Sequence, residues 1–223
     1  MKALILAAGR GSRLSPLTNS IPKPLIKIGT QSIIEKTLLS LKKASVEDII
    51  INVSYLRQKI MKFLGNGSRY GVKISYSNEG DEALETLGGI ANALPLFKND
   101  EHIIIVNADI LTNYDFSVIK RPERLAHLVL IPAVDNKLGD FSLKREIVSN
   151  ESERTLIFSG ISCFKTKAFK KIKIEKRPLG PYLKLLAERK LLTGELYNGL
   201  WEDLGTHESL KRAIKRMSTN STL

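Results

Sequence analysis

Residues Ala3–Ala8 form an unbroken apolar run that ends at Gly9, and comparable runs recur through the first half of the chain. Such strands are buried on both faces, which is the situation of a parallel sheet covered by helices. Between the runs lie segments with helical spacing. Ser32–Lys43 carries apolar residues at that spacing, with Ser32 as N-cap and Glu35 three positions on. Asp48–Val53 reads as a second buried strand, and Tyr55–Leu64 as a helix stopped by Gly65-Asn66-Gly67. Val72–Ser77 alternates like a strand, Leu87–Leu94 is a short helix closed by Pro95, and His102–Asn107 is a further buried strand. This order predicts an α/β fold in three layers around a doubly wound, mostly parallel sheet. The later part is more mixed. Leu125–Val134 and Thr155–Phe164 read as strands, Leu179–Lys190 and Thr206–Met217 as helices, and the last residues, STNSTL, are expected to fray. The 223 residues suit one domain, 1–223, with elaborations after about residue 110.

Composition narrows the partners. The single cysteine, Cys163, excludes an intramolecular disulfide and a cysteine-based zinc site, and its usage fits a cytoplasmic setting. No stretch reaches membrane-spanning length, so no membrane partner is expected. The net charge of +12 favours anionic ligands. Residues 165–190 hold ten Lys/Arg against two Glu, and the plain reading of that run is a solvated helix face. It lacks the interleaved aromatics of a base-stacking platform, which argues against nucleic acid and for small phosphorylated molecules.

In open sheets of this kind ligands sit at the carboxyl ends of the strands, and the unusual residues fall there. Gly9-Arg10-Gly11-Ser12-Arg13-Leu14-Ser15-Pro16-Leu17-Thr18 follows the first strand, and Asn107-Ala108-Asp109 closes another. Glycines after a strand let backbone N–H groups approach a phosphate chain, and Arg13 adds a fork of donors. No Gly-Lys-Ser/Thr follows, and Leu14 occupies the sixth position of a dinucleotide fingerprint, so neither standard phosphate loop is present. A tight turn explains the two glycines equally well. Pro22-Lys23-Pro24-Leu25 holds one lysine on extended backbone, either as a presented point charge or as a solvated surface turn. Asp109 and Asp203 suit either turn capping or a hard cation. Asp115 reads as a turn cap, and His102 and His127 as structural strand residues.

Taken together, these segments resemble the sugar-1-phosphate nucleotidyltransferases. The opening is similar to their strand–LAAG–x–G–x–R–L–x–P–L–T loop followed by P-K-P-L. Leu84-Glu85-Thr86-Leu87-Gly88-Gly89-Ile90, Val106-Asn107-Ala108-Asp109 and Trp201-Glu202-Asp203-Leu204-Gly205-Thr206 resemble later segments of that family. The likeness implies a Rossmann-like nucleotidyltransferase that joins a nucleoside triphosphate to a sugar 1-phosphate and releases pyrophosphate. It divides the chain into a nucleotide-binding part, 1–110, and a sugar-binding part, 111–223, with no C-terminal β-helix. Arg13 and Lys23 would be catalytic. Ala7, Ala8, Gly9, Gly11, Ser12, Arg13, Lys23, Glu79, Thr86 and Gly88 would bind the nucleotide, with Glu79 towards the base. Asn107, Asp140 and Gly160 would bind the sugar, and Asp109 and Asp203 would share Mg²⁺. Within the family, Gly139-Asp140-Phe141-Ser142-Leu143, Phe158-Ser159-Gly160-Ile161 and Gly199-Leu200-Trp201 resemble segments of the compact N-acetylmuramate-1-phosphate uridylyltransferases of cell-wall recycling. Mannose-1-phosphate guanylyltransferases and glucose-1-phosphate thymidylyl- or uridylyltransferases would share the glycine loop, Lys23 and both Asp. A non-catalytic regulator would be expected to have lost at least one of Arg13, Lys23, Asp109 and Asp203.

The chemistry matches the residue types. A sugar phosphate loses its second proton near about pH 6, so it is already an anionic nucleophile at neutrality. It needs no general base, only offset charge and positioning. The three histidines lie outside the loop motifs.

Overall fold

The computed structural model describes residues 1–98, 100–133, 138–151 and 153–219. Its first half contains β1 (Lys2–Leu6), β2 (Lys27–Ile28), β3 (Gln31–Ser32), α1 (Ile33–Lys43), β4 (Asp48–Val53), α2 (Arg57–Leu64), β5 (Lys73–Asn78), α3 (Glu85–Ala93), β6 (His102–Asn107) and β7 (Ile110–Thr112). The second half is richer in strands: β8 (Ala126–Pro132), β9 (Ser142–Lys144), β10 (Ile147–Ser149), β11 (Leu156–Lys165), α4 (Leu179–Glu188), β12 (Leu192–Leu196), β13 (Trp201–Asp203) and α5 (His207–Thr219). The anticipated elements are all present to within a few residues. Val134 and residues 220–223 lie outside the described residues.

Nine strands form one sheet in the order β5-β4-β1-β6-β11-β8-β12-β10-β9. β5, β4, β1 and β6 pair in parallel. β11 enters antiparallel between β6 and β8, which returns β8 and β12 to the direction of β1. Only β11 and β10 run against the others, so the sheet is mostly parallel in direction even where neighbours alternate.

Successive residues of a strand point to opposite faces. Ala3 and Ile5 therefore join a core with α1 and α2, through Ile34, Leu38, Leu41, Ile60 and Leu64. Leu4 faces the other way, into a core with α3 and α4. These are the three layers. A third, smaller core packs α5 and β2 against Leu14 of the glycine loop, with Leu204 between them. α1 starts as the sequence requires: the Glu35 carboxylate accepts from the N–H of Ser32 at 2.8 Å and from its hydroxyl at 2.7 Å. Asp115 caps its turn, accepting from the Ser117 N–H at 2.9 Å.

Candidate active site

The register of the parallel strands places Asn52, Leu6 and Asn107 side by side at their carboxyl ends. The glycine loop leaves β1 there. Gly11 has φ +67, and a Cβ on it would lie 3.1 Å from Lys23 Cβ and 3.2 Å from Thr18 Cγ2. Its carbonyl accepts from the Leu14 N–H and the Thr18 hydroxyl, both at 2.9 Å. Only glycine suits that left-handed, crowded position. The contact holds Lys23 against the loop. Lys23 is 6% exposed, and its ammonium donates to Asp109 Oδ2 at 2.6 Å and lies 4.0 Å from Asp203 Oδ1.

The two carboxylates come from distant parts of the chain and are joined by a small ribbon outside the main sheet. β13 pairs antiparallel with β7, setting Asp203 opposite Ile110, and the Leu204 N–H donates to the Asp109 carbonyl at 2.9 Å. Trp201 Nε1 donates to the Ser159 carbonyl at 2.8 Å, tying the ribbon to β11. Gly205 leaves room for Arg13, since a Cβ there would fall 2.6 Å from its guanidinium. The Asp109 and Asp203 side chains are 34% and 45% exposed. Among the described residues no cluster of three or more His, Cys, Asp or Glu forms a cation cage. Two hard carboxylates open to a cavity fit Mg²⁺, which takes one or two carboxylates and completes its shell with water and substrate phosphate.

Two cavities meet at these residues. The larger, of about 720 Å³, is lined by Ala7, Ala8, Gly9, Gly11, Ser12, Arg13, Lys23 and Thr86 of the anticipated nucleotide set. The smaller, of about 350 Å³, holds Asp140, Gly160 and Asp203. Arg13, Asn107 and Asp109 belong to both. Gly160 sits where the pairing of β11 with β8 shifts, with φ +83, and a Cβ on it would be 2.8 Å from Asn107 Nδ2.

Two expected residues stand behind the wall rather than on it. Gly88 lets α3 pack against the chain at 175–177: a Cβ on it would lie 2.1 Å from the Glu175 carbonyl oxygen. Glu79 is a brace. One of its oxygens accepts from Asn52 Nδ2 at 2.6 Å and the other from the Leu84 N–H at 2.7 Å. Asn52 Oδ1 in turn accepts from the Ala7 N–H at 2.6 Å. Burial raises the Glu79 carboxyl above its ordinary range, and the two hydrogen bonds oppose that shift only in part. The brace ties the phosphate loop to the start of α3. Sequence reasoning passed over Asn52, Glu82, Ala83, Glu85 and Lys176, all on the larger cavity, and Trp201 on the smaller. Glu85 and Trp201 lie inside segments that carry the family resemblance and Lys176 inside the basic run, while Asn52, Glu82 and Ala83 had no signal beyond lying near such segments.

A sheet of this order with two joined cavities at its carboxyl edge defines a class: the chain belongs to the nucleotidyl transferase family, whose sequence profile matches residues 2–137. It is 39% identical over 227 residues to the N-acetylmuramate alpha-1-phosphate uridylyltransferase of Neisseria meningitidis serogroup B, a match that covers 96% of each chain. It is 30% identical to the mannose-1-phosphate guanyltransferase of Debaryomyces hansenii, over 92% of this chain and 61% of that one. In fold it is similar to a Bacillus anthracis protein assigned as a glucose-1-phosphate thymidylyltransferase, with a TM-score of 0.84 at 24% identity, covering 97% of this chain and 95% of that one. HddC from Yersinia pseudotuberculosis is similar too, with a TM-score of 0.78 at 21% identity, covering 96% of this chain and 98% of that one. Nucleotidyltransferases of this family generally use a divalent metal ion. No helix among the described residues is long and apolar enough to cross a membrane.

Proposed function

We propose that this chain converts N-acetylmuramate 1-phosphate and UTP to UDP-N-acetylmuramate and pyrophosphate, in the cytoplasm, as a step of cell-wall recycling. The observation that carries the reading is the junction of the two cavities at Arg13, Asn107 and Asp109, with the Lys23 ammonium beside Asp109. The likeness to the Neisseria meningitidis uridylyltransferase, sustained over both halves of the chain, supports the particular substrates.

In this mechanism UTP lies in the larger cavity with its phosphates along Gly9–Arg13, and the sugar occupies the smaller one beside Asn107, Asp140 and Gly160. A phosphate oxygen of the sugar 1-phosphate attacks the α-phosphorus of UTP. The bond from that phosphorus to the bridging oxygen of the β-phosphate breaks, and its electrons leave with pyrophosphate. The nucleophile is already ionised near neutrality, so no side chain has to accept its proton. Arg13 and Lys23 offset the charge that gathers between two polyanions, and fixed charges in a cavity do this without reorganising. Asp109 and Asp203 would hold Mg²⁺, which when bound withdraws charge from the phosphate oxygens. Asn52 and Glu79 position the loop and the start of α3, and Gly88 lets the segment at 175–177 pack against that helix.

The test is pyrophosphate release with Mg²⁺, pairing UTP, GTP, CTP and dTTP with N-acetylmuramate, mannose, glucose and N-acetylglucosamine 1-phosphates. Turnover confined to UTP and the muramate sugar is expected. Preferential turnover with another pair would retain the mechanism and reject the substrates, and silence with every pair would reject the activity.

A further inference from the structure

The densest run of positive charge is not the face of a helix. Residues 165–177 hold seven Lys/Arg against one Glu, and after β11 the chain crosses a short 3-10 turn and then runs irregularly until α4 begins at Leu179. The run is nonetheless fixed in place. Phe169 is fully buried and Ile172 packs on the α3–α4 core. Further on, the Arg177 N–H donates to the Leu84 carbonyl at 2.9 Å, and the Arg177 carbonyl accepts from the N–H groups of Leu87 and Gly88 at 2.9 and 3.3 Å. The side-chain-free Gly88 is what admits this contact. The strap is thereby bound to the first turn of α3, which forms one wall of the larger cavity, and Lys176 becomes part of the cavity lining. Lys170, Lys171 and Lys173 lie three to six residues upstream and are exposed. None of these four lysines has an ion-pair partner among the described residues. Glu175 faces Arg177 at 3.6 Å instead. Glu82 and Glu85, on the same cavity, are the opposing charges nearby.

We propose that residues 170–177 form an electrostatic collector for the nucleoside triphosphate, with Lys176 as its inner contact and Lys170, Lys171 and Lys173 as an outer rim acting through space. This rests on the nucleotidyltransferase reading, because the triphosphate is the polyanion that must enter this cavity. A rim of net positive charge beside a cleft raises the local concentration and capture rate of an anionic ligand, by up to about 10- to 10³-fold where one sign dominates, and the effect falls steeply with salt. With a screening length of about 10 Å at 0.1 M salt, the outer lysines can act without touching the nucleotide. Arg10, Arg13 and Lys23 line the same cavity, so an incoming triphosphate meets further positive charge there.

The experiment compares the wild type with Lys170→Glu/Lys171→Glu/Lys173→Glu and with Lys176→Ala. It measures kcat and kcat/KM for the triphosphate from low to high salt, and binding of inorganic tripolyphosphate by calorimetry. The triple variant is expected to lose about tenfold or more in kcat/KM at low salt, to keep kcat, and to converge on the wild type at high salt. Lys176→Ala should weaken tripolyphosphate binding with a smaller change in salt dependence. Unchanged kcat/KM and unchanged tripolyphosphate affinity in the triple variant would overturn the proposal, as would a fall confined to kcat. If the wild type turns over no substrate pair, the proposed function fails, and tripolyphosphate binding alone then decides whether the strap collects polyphosphate.

Discussion

The Lys23 side chain is only 8% exposed, so its ammonium would be expensive to keep charged without a counter-ion, and Asp109 at 2.6 Å supplies one. In the proposed reaction substrate phosphates share that role, so the charge is already in place when it is needed. Lys23→Ala should lower kcat by roughly 10²-fold or more, the scale of a lost transition-state donor, with an unchanged circular dichroism spectrum; near-normal turnover would remove Lys23 from the mechanism. Glu195 makes a separate prediction. Burial pulls its carboxyl up, but the His127 ring, 3.8 Å away, and the Tyr114 hydroxyl that donates to it outweigh burial and hold it below the ordinary value of 4.5. At 3.8 Å the His127 contact is longer than a hydrogen bond, and His127 Nε2 has no hydrogen-bond partner. An acid with a lowered folded-state pKa adds stability above its unfolded pKa and loses it as pH falls through the folded value. Acidification below about pH 4.5 should therefore depress the Tm of the wild type more steeply than that of Glu195→Gln, as read by thermal scans across pH. Equal slopes would deny Glu195 this role. Lys23, Arg13 and both Asp stood out by position, but position left a solvated turn or a turn cap open, and their expected roles came from the family resemblance. Asn52 did not stand out, since its use depends on the Ala7 N–H and Glu79 brought beside it by pairing.

Elements with their own periodicity were legible, and those recruited by neighbours were not. β1, β4 and β6 announce themselves as apolar runs, and α1 as a capped amphipathic segment. β7, β9, β10 and β13 have three residues each, too few for a period to appear. β12 contains Gly194 and Glu195 and is a strand because β8 and β10 flank it. A Cβ on Gly194 would lie 2.8 Å from Val148 Cγ2, so the glycine permits that approach. The basic run read as a helix face is α-helical only over Leu179–Glu188; before it the chain runs irregularly, with Pro178 extended and the Arg177 backbone hydrogen-bonded to Leu84, Leu87 and Gly88. At the level of β11 the sharpest prediction concerns Gly160. Alanine there meets both a left-handed φ and Asn107, so Gly160→Ala should cost roughly 1–3 kcal/mol in denaturant unfolding. It should also raise KM for the sugar phosphate more than KM for the triphosphate. A variant as stable as the wild type would show that the backbone at 160 relaxes freely.

Over the whole molecule, the first half follows from local order, since successive β-α-β units leave few topologies open. The second half does not: the reversal of β11 between β6 and β8 is a long-range pairing that no local pattern announces. That strand also carries an internal reporter. Cys163 is fully buried near its carboxyl end, and burial pushes its thiol up to about 12. Thiolate chemistry there requires the sheet to open. Labelling by an aromatic disulfide reagent should be negligible in the native protein and should follow the guanidinium unfolding curve measured by circular dichroism. Rapid native labelling would mean that β11 detaches on its own.

The β7–β13 ribbon has a consequence for assembly. Asp109 and Asp203 belong to segments far apart in sequence and are brought together by that short ribbon, the Leu204-to-Asp109 backbone bond and the Lys23 ammonium between them. A cation gripped by both would act as a removable clasp between the two halves of the chain. Binding only the folded state, it would shift the unfolding equilibrium by mass action. Thermal scans at rising Mg²⁺ should then show a saturable increase in Tm that Asp203→Asn abolishes, and a flat response would mean that the carboxylates hold no ion until substrate phosphate arrives.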